Sequence, residues 1–153
     1  MRVVIAGSRA LPRGQAPRLL ARFLAKFDDG DSVLIRTPKM GEPGPFERDV
    51  IKLCELFQVE VETFTPEPTP QTPGRGSVFL RDIEMVDKAD LVLLFFTPTE
   101  AVEGYSGTAH MMEKALDAAR PVYAYTVSEA GEVNRLGEYD PDDLFSHKVP
   151  SVP

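Results

Sequence analysis

The clearest signal for the fold is a glycine-rich segment that leads into a helical pattern, Gly104-Tyr105-Ser106-Gly107-Thr108-Ala109-His110-Met111. It follows an apolar run at 91–96, and its helical spacing continues to residue 119, ahead of a second apolar run at 121–126. This order predicts a strand, a glycine-rich loop, a helix and a strand. The first turn of a helix leaves backbone N–H groups free at its positive end, where an anion such as phosphate binds well. A second loop of this kind, Gly7-Ser8-Arg9, follows the first strand, and two such loops on one sheet suggest a nucleotide-type ligand.

The rest of the chain repeats the alternation of strand and helix. Apolar or β-branched runs predict strands at 2–6, 32–36, 59–64, 90–96 and 121–126, and helical spacing predicts helices at 16–27, 46–57, 77–88 and 108–119. We therefore predict an α/β fold, a Rossmann-like doubly wound parallel sheet of about five strands in the order 3-2-1-4-5. The strand at 90–96 should be central and the one at 59–64 an edge. Ligands of such sheets bind beyond the carboxyl ends of the strands, at the switch between strands 1 and 4.

The predicted domain organisation is simple. Residues 1–126 form one Rossmann-like nucleotide-binding domain, and residues 127–153, with scattered acids and weak periodicity, form a loosely structured tail packed on the same domain. Pro45 suits the first position of a helix, Ser77 suits an N-cap, and 97–107 is predicted to be a polar loop.

Composition excludes several classes of function. The chain has 153 residues, 42% of them hydrophobic and 27% charged, which is typical of a soluble globular domain. Its net charge of −7 argues against nucleic acid as a partner, because binding to nucleic acid needs a basic face. A single cysteine and two histidines predict no disulfide, no metal site and no cofactor. With no signal peptide and no apolar run of membrane-spanning length, we expect a cytoplasmic protein with no membrane partner.

Small and basic residues at the predicted loops are the candidate ligand contacts. In Gly7-Ser8-Arg9 the glycine permits close approach of the backbone, and the guanidinium offers a fork of donors to phosphate. The third glycine-rich helix start, Gly74-Arg75-Gly76-Ser77, lies four residues before Arg81, whose side chain either faces a ligand or pairs with Asp82. The candidate ligand-binding residues are Gly7, Ser8, Arg9, Gly76, Ser77, Arg81, Thr97, Ser106, Gly107 and Thr108.

Other charged residues are weaker candidates. Arg36-Thr37 and Glu47 lie at the end of the second strand and the start of the next helix. Simple solvation is the favoured prediction for them, and a position at the edge of the pocket is the alternative. Catalytic residues cannot be assigned, and Glu113 and Glu103 are only weak candidates for the carboxylate of an N-glycosidic reaction. His110 is predicted to be a partly buried or exposed ring rather than a catalyst.

Three segments resemble the SLOG superfamily, which includes the Lonely-Guy phosphoribohydrolases and the DNA-processing protein A family. They are Val3-Val4-Ile5-Ala6-Gly7-Ser8-Arg9, the helix at 74–86 with its Arg81, and Gly107-Thr108 leading into Met111-Met112 and Ala115. The likeness covers about residues 2–126 and is closest to small uncharacterised bacterial and phage members. It implies a Rossmann-like fold, a nucleotide or nucleotide-derived ligand and a homo-oligomer. By motif it carries over Gly7, Ser8, Arg9, Arg81, Gly107 and Thr108 as ligand contacts.

Two departures from the superfamily bear on catalysis. Its Gly-Gly after the second strand is Arg36-Thr37-Pro38 here, and the phosphoribohydrolase signature Gly-Thr-x-x-Glu ends instead in Met111. Glu113 lies about 200° further around the helix and cannot replace the missing carboxylate. A likeness to nucleoside deoxyribosyltransferases is weakened by the same departure.

The leading hypothesis is therefore binding or sensing of a nucleotide-derived small molecule without efficient catalysis. The alternative is an N-glycosidic hydrolase or transferase acting on nucleoside monophosphates or nucleosides. A third hypothesis is a protein-interaction module that kept the fold but not the ligand.

Overall fold

The structure is a computed structural model that describes residues 1–11, 14, 16–37, 43–103 and 107–139. Side chains at 16–19, 103 and 137–139 are not described. The elements in chain order are β1 (Arg2–Gly7), α1 (Ala16–Leu24), β2 (Ser32–Arg36), α2 (Pro45–Leu56), β3 (Glu60–Phe64), α3 (Arg75–Lys88), β4 (Leu91–Phe96), α4 (Pro98–Glu103), α5 (Gly107–Asp117), β5 (Val122–Val127) and β6 (Val133–Tyr139).

The strands form one mixed sheet in the order β3-β2-β1-β4-β5-β6. The first five are parallel, which confirms the predicted α/β doubly wound fold, the order 3-2-1-4-5 and β3 as an edge. The chain reverses direction in the sheet order between β1 and β4, so a switch point lies where these two strands end.

Helices cover both faces of the sheet, and alternate strand residues point to opposite faces. On one face, side chains such as Ile5, Ile35 and Leu93 pack against Phe23 of α1 and Val50 of α2. On the other face, the intervening strand residues Val4, Leu34 and Leu94 pack against helices α3 and α5. The helices contribute Met85 and Met111 to this cluster. All six residues of β4 are buried, as expected for a central strand.

The sixth strand corrects the prediction for the end of the chain. Residues 133–139, expected to belong to a loosely structured tail, pair antiparallel with β5. A tight turn precedes them, in which the N–H of Ser128 donates to the carbonyl of Glu132 and Gly131 has a φ of +82°. The sequence signal was weak because, among the described side chains of this edge strand, Val133 packs against the core whereas those at 134–136 are exposed. Residues 140–153 lie outside the described part of the chain.

Two helix starts also differ from the predictions. The helix α3 begins at Arg75 after Gly74, so Ser77 is not its N-cap, and its hydroxyl donates to the carbonyl of Gly74 at 2.7 Å instead. The predicted loop at 97–107 contains α4, which Thr97 and Glu100 cap reciprocally: the N–H of Glu100 donates to the Thr97 hydroxyl at 3.2 Å, and that of Thr97 donates to the Glu100 carboxylate at 3.4 Å. Pro45 does open α2, as predicted.

Candidate functional site

A cavity of about 540 Å³ lies at the carboxyl ends of β1 and β2, beside the first turns of α2 and α5. We call it the switch-point cavity. The residues that line it are Ser8, Arg9, Ala10, Arg36, Thr37, Gly44, Glu47, Pro66, Val78, Arg81, Glu100, Gly107 and Thr108. It therefore lies where the strand order predicts a ligand site.

Arg36 forms hydrogen bonds to three different elements around this cavity. Its Nη2 donates to the carbonyl oxygen of Gly7 at 2.8 Å and to the hydroxyl oxygen of Thr108 at 2.9 Å. Its Nε donates to Oε1 of Glu47 at 3.1 Å. One guanidinium thus joins β1, α2 and α5, and it places a positive charge against the first turn of α5.

Glu47 is a buried carboxylate, with 3% of its side chain exposed. Oε1 accepts from Arg36 and also from the backbone N–H of Gly7, at 3.4 Å. Glu47 occupies the first turn of α2, where the helix dipole favours a negative charge. The carboxylate is therefore fixed in position at the end of β1.

A second buried charge network stands on α3. Nε of Arg81 donates to Oδ1 of Asp82 at 3.0 Å, and Nη1 donates to the carbonyl oxygen of Thr37 at 2.6 Å. Oδ2 of Asp82 lies 2.8 Å from Nδ1 of His110, whose ring stacks on Phe79. Burial lowers the pKa of the Arg81 guanidinium, and Asp82 opposes that effect. Asp82 thus holds Arg81 at the cavity wall.

Two small residues keep this arrangement open. A Cβ on Gly107 would stand 3.3 Å from Nη1 of Arg36, so only glycine lets the guanidinium lie against the start of α5 without a shift. A Cβ on Gly7 would stand 2.6 Å from a ring carbon of Phe46, a contact that folded proteins do not tolerate. Gly7 is therefore required by core packing, whatever it does for a ligand.

The predicted ligand residues divide into two groups. Ser8, Arg9, Arg81, Gly107 and Thr108 line the switch-point cavity. The others do not line it. The backbone of Gly7 hydrogen-bonds to the cavity residues Glu47 and Arg36, Thr97 caps α4, and Gly76 is inside the first turn of α3. Ser77 lines a second cavity of about 470 Å³ beside β3. Ser106 lies outside the described residues. Ligand contact by any of them stays a prediction.

Of the two weak catalytic candidates, the one whose side chain is described does not line the cavity. Glu113 is exposed on α5 and is not among the cavity residues. Glu103 ends α4, and its side chain lies outside the described part. Met111, at the position of the phosphoribohydrolase glutamate, is fully buried in the core. His110 is partly buried, as predicted.

The prediction that Arg36 and Glu47 are simply solvated was wrong. Both line the cavity, and Arg36 has only 14% of its side chain exposed. Their position in the chain was a signal for this location, because Arg36 ends the second strand and Glu47 opens the following helix, so both belong to the edge where ligands bind. Their burial depends on Gly7 and Thr108, which are distant in sequence.

The described part of the chain holds neither a metal-binding cluster nor a reactive thiol. No group of three or more histidine, cysteine, aspartate or glutamate side chains in the described ranges could hold a metal ion. Burial and the neighbouring Glu55 raise the pKa of the Cys54 thiol to about 12, which keeps it protonated and unreactive at neutral pH. No helix in these ranges is long and apolar enough to cross a membrane.

Comparisons of the chain with protein-family models, with curated proteins and with solved structures found no match. The side chains of the cavity are therefore what indicates the ligand.

Proposed function

We propose that the protein binds or senses a nucleotide or nucleotide-derived small molecule in the switch-point cavity, without efficient catalysis. One observation carries the proposal. Nη1 of Arg36 and Nη2 of Arg81, both on cavity-lining residues, have no acceptor among the residues that the structure describes. Two guanidinium groups with donors to spare suit the oxygens of a phosphate.

The surroundings of these donors support the same ligand. Gly107 and Thr108 begin α5, whose first-turn N–H groups favour an anion, and the exposed Arg9 adds a third positive charge at the rim. The volume of about 540 Å³ is within the range of small-molecule sites. Membership of the SLOG superfamily, proposed from sequence, would account for both the switch-point location and the glycine-rich loops.

A second candidate function is N-glycosidic hydrolysis or transfer on nucleoside monophosphates or nucleosides. It is favoured by Glu47, a carboxylate at the cavity wall that could act as nucleophile or base. Against it, the charge of Glu47 is already shared with Arg36, which weakens it as a nucleophile. We therefore place binding first.

The first prediction separates binder from enzyme. Calorimetric titration with the four common nucleoside 5′-monophosphates should give binding of at least one, and none of the matching uncharged nucleosides should bind as tightly. Chromatography of the same mixtures should show negligible free base. Met111 stands where the phosphoribohydrolase signature has its glutamate, and loss of a nucleophile or general base lowers the rate by about 10²–10⁴-fold. Robust base release that disappears in Glu47→Gln would favour the enzyme. No binding by any monophosphate would remove the proposed ligand class.

We also propose a homo-oligomer. Large apolar side chains are exposed along α3, where Phe79, Leu80 and Ile83 are 40%, 52% and 37% exposed. A second copy could cover this surface. Light scattering at micromolar concentration should give a multiple of 16.9 kDa, and Ile83→Lys should lower that mass. A mass of one chain for the unmodified protein would refute the proposal.

A further inference from the structure

Glu47 has one oxygen committed to the protein and one that is not. Oε1 accepts both the Nε–H of Arg36 and the N–H of Gly7, whereas Oε2 has no partner among the described residues. Only 3% of the Glu47 side chain is exposed, and the residue lines the switch-point cavity. Because Oε2 is not among the fully buried atoms that lack a partner, it is accessible, and a ligand in the cavity that Glu47 lines can supply its donor.

Gly44 keeps that oxygen accessible. It also lines the cavity, and a Cβ at this position would stand 3.1 Å from Oε2 of Glu47. A side chain here would crowd the oxygen on the side from which a ligand approaches. With glycine here, Oε2 of Glu47 stays accessible in the cavity that Arg36 and Arg81 also line.

The spacing of acceptor and donors limits the ligand. Arg36 bonds Glu47 through Nε, and its Nη1 has no acceptor among the residues that the structure describes, so the carboxylate and the proposed phosphate position lie at two sides of one guanidinium. Arg36 also separates the two negative charges, which would otherwise repel. The ligand must therefore carry a donor only a few bonds from its phosphate. Sugar hydroxyls of a sugar phosphate meet this requirement, whereas the base of a nucleoside 5′-phosphate lies beyond the sugar.

We propose that Glu47 selects ligands whose phosphate is attached to a hydroxyl-bearing sugar, by accepting a sugar O–H on Oε2. This deepens the proposed function and rests on it. An ionised carboxylate has no proton to donate, so Glu47 accepts from a hydroxyl and repels a second phosphate. The site thereby favours phosphomonoesters of sugars over polyphosphates or simple alkyl phosphates.

The test compares two probes of equal charge. Ribose 5-phosphate and ethyl phosphate are titrated calorimetrically into the unmodified protein. A hydrogen bond to a charged group should make ribose 5-phosphate bind about tenfold tighter or more. In Glu47→Gln the amide can still accept from Arg36 but presents N–H₂ to the cavity, so the affinity ratio should fall below about threefold. Glu55→Gln, an exposed change on the same helix, should keep the ratio.

Each outcome has a distinct meaning. If ribose 5-phosphate, ethyl phosphate and the nucleoside 5′-monophosphates all fail to bind, the proposed function fails. If a nucleoside monophosphate binds but neither probe does, the function stands and the selection of sugar phosphates by Glu47 is overturned. If both bind with equal affinity, or if Glu47→Gln keeps the tenfold ratio, the function stands and the role of Glu47 is overturned. Should Glu47→Gln not fold, Gly44→Ala provides the second variant, because its methyl group crowds Oε2 without changing the charge. It too should reduce the ratio, and an unchanged ratio would contradict the proposal.

Discussion

Replacing Asp82 by alanine is expected to lower the free energy of unfolding by about 3–5 kcal/mol, the usual cost of removing one partner of a buried ion pair. Asp82 and Arg81 are 1% and 8% exposed, so the change leaves a buried guanidinium without its counter-charge. It also removes the acceptor of His110. Urea denaturation followed by circular dichroism measures the change, and the folded fraction should bind nucleoside monophosphates more weakly because Arg81 is no longer held in place.

A double variant separates charge from packing. When Arg81→Met is combined with Asp82→Ala, no uncompensated charge remains, and an apolar replacement of a buried pair is often nearly neutral. The double variant should therefore be more stable than Asp82→Ala alone, by about 1 kcal/mol or more. Additive losses from the two single changes would mean that the pair is not coupled, and that Asp82 acts through packing only.

Replacing Arg36 by methionine is expected to have the largest effect on ligand affinity, a loss of about 10- to 100-fold for a nucleoside monophosphate. The variant loses one ionic hydrogen bond to the ligand, worth about 1.5–3 kcal/mol. It also releases Thr108 and removes the guanidinium that hydrogen-bonds to Glu47, which lowers the positive charge in the cavity. Titration calorimetry measures the affinity directly.

The control for Arg36 is Arg22→Met, which removes an exposed positive charge from α1, away from the cavity. It should change the affinity less than about twofold, since exposed charges at a distance are screened by salt. Arg36→Lys should also bind weakly, because a lysine ammonium cannot bridge Gly7, Glu47 and Thr108 in one plane. Affinities unchanged in both Arg36 variants would exclude this residue from the site.

The sheet could be predicted from sequence because its signals are local. A buried parallel strand such as Leu91–Phe96 is a continuous apolar run between polar residues, and each helix shows its own period. Once the alternation of strand and helix is known, crossover handedness and the switch-point rule place Ser8 and Thr108 at one cavity. The edge strand β6 was missed because it is defined by its pairing with β5, which the pattern of its own residues does not predict.

The centre of the site could not be predicted in the same way. Arg36 and Glu47 are buried by contacts with Gly7 and Thr108, which are separated from them by up to 72 positions in the chain. Charged residues at strand and helix ends are usually solvated, so nothing local distinguishes these two. Conversely, Thr97 and Ser77 have the residue types of a phosphate loop, but their hydroxyls are used within the turns that start α4 and α3.

If the switch-point cavity holds the phosphate of a small ligand, a tetrahedral oxyanion should bind there and be visible by diffraction. Crystals of the protein soaked in tungstate, a tetrahedral oxyanion with strong anomalous scattering, should show a peak in contact with Arg36 and Arg81 at the first turn of α5. The peak should be absent from crystals of Arg36→Met and should disappear when a nucleoside 5′-monophosphate that binds in solution is added. A cavity without anomalous density at saturating tungstate, or a peak that the Arg36→Met change leaves intact, would contradict a phosphate site at Arg36 in this cavity.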